Sequence, residues 1–143
     1  MDGLSHYESR TGSLSCTPSE VFGFVTDIRN FERFIPKDSV SNWQTGTDSC
    51  SFTVPMVGTV SARIIQKEPD RKVVYNGDAL KMNDFEVSLF INEGKGGHAE
   101  VKVQLDADLN PMLRMVASKP IDNFLEVLVR EMEKFNGWKD IIK

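Results

Sequence analysis

Residues 110–135, NPMLRMVASKPIDNFLEVLVREMEKF, constrain everything else in the sequence. Ile121, Phe124, Leu125, Leu128, Met132 and Phe135 recur at steps of three and four, which gather on one face of an α-helix. The other face carries Asp122, Asn123, Glu126, Arg130, Glu133 and Lys134. Asn110 suits an N-cap, and Pro111 suits the first helical position, where a missing N–H costs nothing. Such a stripe has to be buried against something apolar. Pro120 interrupts the pattern, because it cannot donate to the Val116 carbonyl, and Lys119 before it is disfavoured in helical geometry. A kinked helix and two abutting helices both fit.

The preceding chain supplies strands to receive that stripe. Asp84–Asn92 puts Phe85, Val87, Leu89 and Ile91 on one side. Ala99–Leu109 puts Val101, Val103, Leu105, Ala107 and Leu109 on one side and Glu100, Lys102, Gln104, Asp106 and Asp108 on the other. Gly94-Lys95-Gly96-Gly97 joins them, as a hairpin loop needing positive φ should. Ser51–Met56 alternates in the same way, with Phe52, Val54 and Met56 together. Weaker patterns give strands over residues 5–15, Val40–Gln44, Thr59–Lys67 and Lys72–Asn76, with turns at Val57-Gly58 and Glu68-Pro69-Asp70. One apolar face and one polar face describe an antiparallel sheet wet on one side.

Between the first strand and the rest lie two helix starts. Thr17-Pro18-Ser19-Glu20 reads as N-cap, first-turn proline and capping box, with Val21, Phe22, Val25 and Ile28 as the apolar face. Asp27 or Asn30 caps a second short helix carrying Phe31, Phe34 and Ile35, which Pro36 ends. The order is strand, two short helices, about six strands and a long helix. It predicts an α+β domain over 1–143 whose sheet wraps the helix. Where side chains do not fill the space between, it is a ligand cavity.

That order, with particular residues, resembles the START/birch-allergen-like superfamily, also called SRPBCC or polyketide cyclase-like. Pro18-Ser19-Glu20-Val21-Phe22-Gly23-Phe24-Val25-Thr26-Asp27 is similar to its "VF-x-F-x-x-D" helix. Ile28-Arg29-Asn30-Phe31-Glu32-Arg33-Phe34-Ile35-Pro36 is similar to its "NF-x-x-x-x-P" helix, and Leu109-Asn110-Pro111-Met112 to its terminal block. Both helix motifs are packing and capping patterns, not catalytic ones. Within the superfamily the chain looks most like small stand-alone bacterial members, including those associated with carbon-monoxide dehydrogenase. The resemblance implies a helix-grip fold, in which a curved seven-stranded antiparallel sheet grips the C-terminal helix around an apolar cavity. Members bind lipids, sterols, polyketides or plant hormones, some cyclise or hydrolyse, and others partner chaperones. Fold does not choose among these.

On this reading the cavity is lined by Phe34, Trp43, Phe52, Val54, Met56, Tyr75, Phe85, Leu89, Val101, Val103, Leu105, Met112, Met115, Val116 and Phe124. As core filler these residues are ordinary; as lining, the methionines adapt to irregular shapes. Met112, Met115 and Val116 precede Pro120, so a kink sets that half of the helix on the cavity side. Tyr75, Trp43, Arg10 and Gln66 are the polar groups placed to orient a ligand.

No catalytic constellation emerges. Asp106 and Asp108 are paired carboxylates, but the alternation turns them outward. His6 stands at the start of the first strand and His98 after the hairpin, neither with a metal-binding partner at the right spacing. The Gly94–Gly97 loop is followed by a strand, so it lacks the helix N-terminus of a phosphate loop. Cys16 and Cys50 are read as free thiols. No metal and no cofactor is expected. A net charge of −4 argues against a nucleic-acid partner. No apolar run approaches the ~20 residues of a membrane span, and the N-terminus lacks a signal-peptide core, so no integral membrane contact and a cytoplasmic location are expected. The leading expectation is a monomer or weak homodimer binding a small apolar or amphipathic molecule. A cyclase- or hydrolase-type enzyme, and an interaction module using an exposed apolar patch with Phe90, are the alternatives.

Overall fold

A computed structural model describes residues 4–34, 41–46, 48–54, 58–79, 83–109 and 111–138. Strands β1 (Leu4–Glu8) and β2 (Gly12–Ser13) precede helix α1 (Pro18–Val25) and a 3-10 helix (Ile28–Arg33). Strands β3 (Ser41–Thr45), β4 (Ser49–Val54), β5 (Gly58–Glu68), β6 (Lys72–Ala79), β7 (Asn83–Glu93) and β8 (Ala99–Asp108) follow, then helix α2 (Pro111–Lys134). The sheet runs β1-β8-β7-β6-β5-β4-β3, antiparallel throughout, and β2 also pairs with β8. This is the α+β helix-grip arrangement, with eight strands rather than seven because the first strand is broken in two. Asn110, Val40, Ile35, Pro36, Met56 and Val57 fall outside the described residues, as does the Val54 side chain.

The break in the first strand is a bulge against β8, set by contacts distant in sequence. Between the pairs Glu8↔Gln104 and Gly12↔Val101 the first strand spends one residue more than β8. The Ser9 hydroxyl accepts from the Val103 N–H (2.9 Å), and the strand buckles. The buckle carries Arg10 out to α2, where its guanidinium meets both Glu133 carboxylate oxygens (2.9 and 2.6 Å) and Glu126 (3.2 Å). Glu133 also accepts the Ser13 N–H at 3.1 Å. At Gly12 any Cβ would lie 2.5 Å from Val129 Cγ1, so only glycine lets β2 come this close to the helix.

The helix starts form as the caps dictate. Thr17 and Glu20 exchange hydrogen bonds (3.2 and 2.9 Å), and Asp27 caps the 3-10 helix through the Arg29 N–H (3.0 Å). Gly96 (φ 72°) and Gly97 (φ 80°) turn the β7–β8 hairpin. Pro120 does not divide the last helix, since α2 is continuous from Pro111 to Lys134.

The core lies between the sheet's inner face and the helices. Val73, Leu89 and Val103 stand side by side across β6, β7 and β8, and Tyr75, Val87 and Leu105 form the next row. Leu125, Leu128, Val129 and Met132 supply the helix side. The buried stripe is thus centred on Leu125 and Val129, with Ile121, Phe124 and Phe135 half-buried at its flanks. Phe24, Phe34, Phe135 and Trp138 close one end as an aromatic cluster with ring centroids 5.0–5.8 Å apart.

Candidate functional site

The inner face is not uniform along its length. Towards the β7–β8 hairpin, Leu89, Ile91, Val101 and Val103 are shut in by α1 and the second half of α2. Towards the other end, Phe85, Val87, Leu105, Ile121 and Phe124 are only half-buried. Across the sheet, on β3 and β4, Trp43 and Phe52 are also half-buried and stack at 5.4 Å. Phe85 lies over Gly77, its cross-strand partner, where a Cβ would come 2.8 Å from the ring. This open end of an apolar, concave face is the candidate site.

The expected lining residues divide among three places. Phe34, Leu89, Val101 and Val103 are fully buried, and Phe34 belongs to the aromatic cluster. Trp43, Phe52, Phe85, Leu105 and Phe124 border the open end. Met112, Met115 and Val116 stand in solvent, with 76%, 84% and 61% of their surface exposed. The reason is the face each residue occupies. Continuing the buried series Met132, Leu128, Leu125, Ile121 back by steps of three and four leads to Ser118 and Arg114. Those two touch the sheet: Arg114 Nε donates to Ser5 Oγ (2.9 Å), and Tyr7 Oη meets Ser118 Oγ (2.8 Å). Ser118 gives its own proton to the Arg114 carbonyl (2.7 Å), so Tyr7 is the donor to it. Met112, Met115 and Val116 are therefore on the far side of α2, not on the cavity side. Tyr7 and Ile121 join the open end although the sequence does not single them out as lining. Ile121 is visible there only as part of the stripe, and the alternation leaves the inward face of Tyr7's strand ambiguous.

The polar groups expected to orient a ligand are differently placed. Tyr75 is buried with its hydroxyl given to the Val25 carbonyl (2.9 Å) and its ring edge-on to Phe31. Burial pushes its ionisation well above the usual value. Arg10 serves the α2 ion pairs and Gln66 is exposed, so neither is at the open end. The Trp43 indole N–H is buried without a hydrogen-bond partner. Burial raises the Cys16 thiol to about 12 and the Cys50 thiol to about 11, so both are poor nucleophiles at neutral pH.

His6 is held firmly in β1 on the outer face, with Nδ1 2.6 Å from Asp106 and Nε2 2.7 Å from Glu8. Those carboxylates raise its pKa above the ordinary value, Glu8 foremost. No group of three or more His, Cys, Asp or Glu residues able to hold a metal occurs among the described residues. Two hollows lie mainly on the outer face. One of about 640 Å³ is lined by polar groups including Gln44, Ser51, Ser61, Arg63 and Asp78, and one of about 390 Å³ includes Arg71, Lys72, Phe90 and Lys102. Phe90, outward as its strand's alternation requires, lies under the Lys72 ammonium at 5.2 Å. No helix among the described residues is long and apolar enough to cross a membrane.

No family model matches the sequence, and no curated protein matches it. Solved structures do. Norcoclaurine synthase from Thalictrum flavum superposes with a TM-score of 0.71 at 7% identity, over 92% of this chain and 85% of that one. A Thermobifida fusca protein gives 0.62 at 13% identity, over 92% and 94%. A Rhodobacter sphaeroides protein gives 0.61 at 15%, over 92% and 90%. The likeness spans the whole α+β helix-grip arrangement, the antiparallel sheet together with its long C-terminal helix. At these identities the likeness establishes architecture alone.

Proposed function

We propose that the chain is a small START-like binding module that carries or senses a small hydrophobic or amphipathic molecule, lipid-like or polyketide-like, held at the open end of the concave face. The observation behind this reading is the gradient along that face. One end is a closed core, and the other presents Phe85, Val87, Leu105, Ile121 and Phe124 half-uncovered, with Trp43 and Phe52 across the sheet. None of these side chains ionises, and the inward tyrosine hydroxyls are already engaged, Tyr7 with Ser118 and Tyr75 with Val25. Such a surface gains by covering apolar area, and the described side chains that form it include no acid or base for turnover, which favours a binder over a cyclase or hydrolase. The same chemistry is the reading of its cofactor needs: none is required to hold an apolar guest. Native mass spectrometry of the purified protein tests it directly. A co-purified small molecule, displaced by an apolar probe dye, supports the reading. No bound molecule, together with no dye binding that Phe85→Ala or Phe124→Ala alters, rejects it.

A further inference from the structure

We propose that the Trp43 indole N–H sets the specificity of the candidate site, so that the guest is an apolar molecule carrying a neutral acceptor oxygen, a ketone or an ester, rather than a plain hydrocarbon. This rests on the reading of the open end as a binding surface and adds a polar contact to it. Two buried polar side-chain atoms lack a partner among the described residues, Asn30 Oδ1 and Trp43 Nε1. Asn30 is wholly buried, and its amide is tied to the Phe24 carbonyl (2.9 Å). Trp43 differs, because its ring is only half-buried while its N–H is fully covered. The polar edge is therefore turned into the protein and apolar ring surface is left to the solvent, the reverse of the usual arrangement for a tryptophan at a wet border. The other tryptophan shows the ordinary solution: Trp138 Nε1 donates to the Phe135 carbonyl at 3.1 Å. A buried donor without a partner costs free energy that an acceptor brought to it recovers.

The backbone of β3 fixes where this donor stands. Between the pairs Ser41↔Thr53 and Gln44↔Ser51, β3 has one residue more than β4. Asn42 takes up the extra residue in the left-handed region (φ 55°), and its amide donates to Thr53 Oγ1 (3.3 Å). Gln44 then lies with the polar groups of the outer hollow, and Trp43 stacks on Phe52 at 5.4 Å. The inner-face row beside that pair runs Cys50↔Ala62↔Gly77↔Phe85. Its middle positions are small, so a guest lying along it has the Trp43–Phe52 stack at one end and the Phe85 ring at the other. A short border strand with slipped pairing lets the Trp43 ring tilt and offer its N–H to that guest. Other polar groups on this side are already engaged: Tyr7 with Ser118, Tyr75 with the Val25 carbonyl, and Arg114 with Ser5 and the Leu109 carbonyl. An uncharged donor in an apolar wall favours a neutral acceptor, since a buried carboxylate needs a charged partner.

Acetylnaphthalene and ethylnaphthalene, which differ only in a carbonyl in place of a methylene, test this. The chain has two tryptophans, so proton–nitrogen NMR of the parent protein shows two indole N–H signals, and the one missing from Trp43→Phe belongs to Trp43. Both probes should bind, the ketone about tenfold more tightly. The ketone should move the Trp43 indole proton downfield, the direction of a hydrogen bond, and leave that of Trp138 in place; the hydrocarbon should move neither downfield. In Trp43→Phe, which keeps a ring on Phe52, the two probes should bind equally. Equal affinities in the parent, ketone binding with no downfield shift of either indole, or a ketone advantage that survives Trp43→Phe overturns the inference while leaving an apolar site in place. Binding of neither probe rejects the site itself and the inference with it.

Discussion

Truncating α2 on its two sides should have very unequal consequences for stability. Leu125 is 1% exposed, in a cluster with Leu128, Val129 and Met132 against the inner sheet. Leu125→Ala removes three buried carbons, worth about 0.8 kcal/mol each in transfer alone. The space left lies between a hydrogen-bonded sheet and a helix held by Arg10, so it closes only in part and a cavity term adds to the loss. The expected cost is about 3–4 kcal/mol, which for a chain of this length lowers Tm by roughly 10 °C. Met115 is 84% exposed, so Met115→Ala should stay within about 0.5 kcal/mol of the parent. Phe124, half-buried, should fall between them. Urea unfolding of the three variants, with m unchanged, gives the differences from their midpoints. A Met115→Ala cost equal to that of Leu125→Ala would refute the assignment of helix faces. So would a Leu125→Ala cost below about 1 kcal/mol, because no fully buried leucine is that cheap to truncate.

Tyr7→Phe should cost about 1 kcal/mol, the net worth of one hydrogen bond, since Ser118 keeps its bond to the Arg114 carbonyl and its half-buried oxygen loses only the Tyr7 donor; thermal unfolding measures it, and hydrogen exchange in residues 112–119 should quicken. Gly77→Ala should cost about 3 kcal/mol, at the upper end for overpacking, because the added Cβ collides with the Ser61 carbonyl and the Phe85 ring; denaturant unfolding checks it. The His6 pair makes stability pH-dependent with a definite sign. Both ring nitrogens face carboxylates, so the protonated ring is favoured and the folded pKa is raised. The stabilisation is therefore full below the unfolded value near 6.5 and is lost as pH rises through the higher folded value. Histidine NMR titration should show the elevated pKa, and a His6→Gln variant should lose that segment of the stability profile.

Much of the architecture can be read from local chemistry. Thr17, Pro18 and Glu20 announce the start of α1 because a capping box needs only those residue types at that spacing. The alternation in β7 and β8 survives intact because both strands are central, with a neighbour on each side to hold the register. The first strand is harder. Its buckle at Ser9–Gly12 is set by the approach of α2, a contact more than a hundred residues away in sequence. The bulge between Ile64 and Gln66 likewise exposes Ile65 through pairing with β6, not through any local signal. The candidate site is legible in its strands and misleading in its helix. Treating Pro120 as a break hides the simple extrapolation from Leu125 and Ile121 to Ser118 and Arg114, which shows which side of α2 meets β1. Trp138 gives no warning either, since the segment after α2 has no periodicity, yet it is 2% exposed in the aromatic cluster.

An open sheet, unlike a closed barrel, has two borders, and each offers unpaired backbone groups to any passing strand. One border here is β1, with α2 packed along it. The other is β3, and it is uneven: its pairing with β4 slips between Ser41 and Gln44, and Asn42 adopts a left-handed conformation (φ 55°). A five-residue strand with such a kink cannot present a straight row of donors and acceptors. The irregularity thus acts as a guard against sheet-to-sheet polymerisation, letting the protein keep an uncovered apolar surface without its chains adding to one another edge to edge.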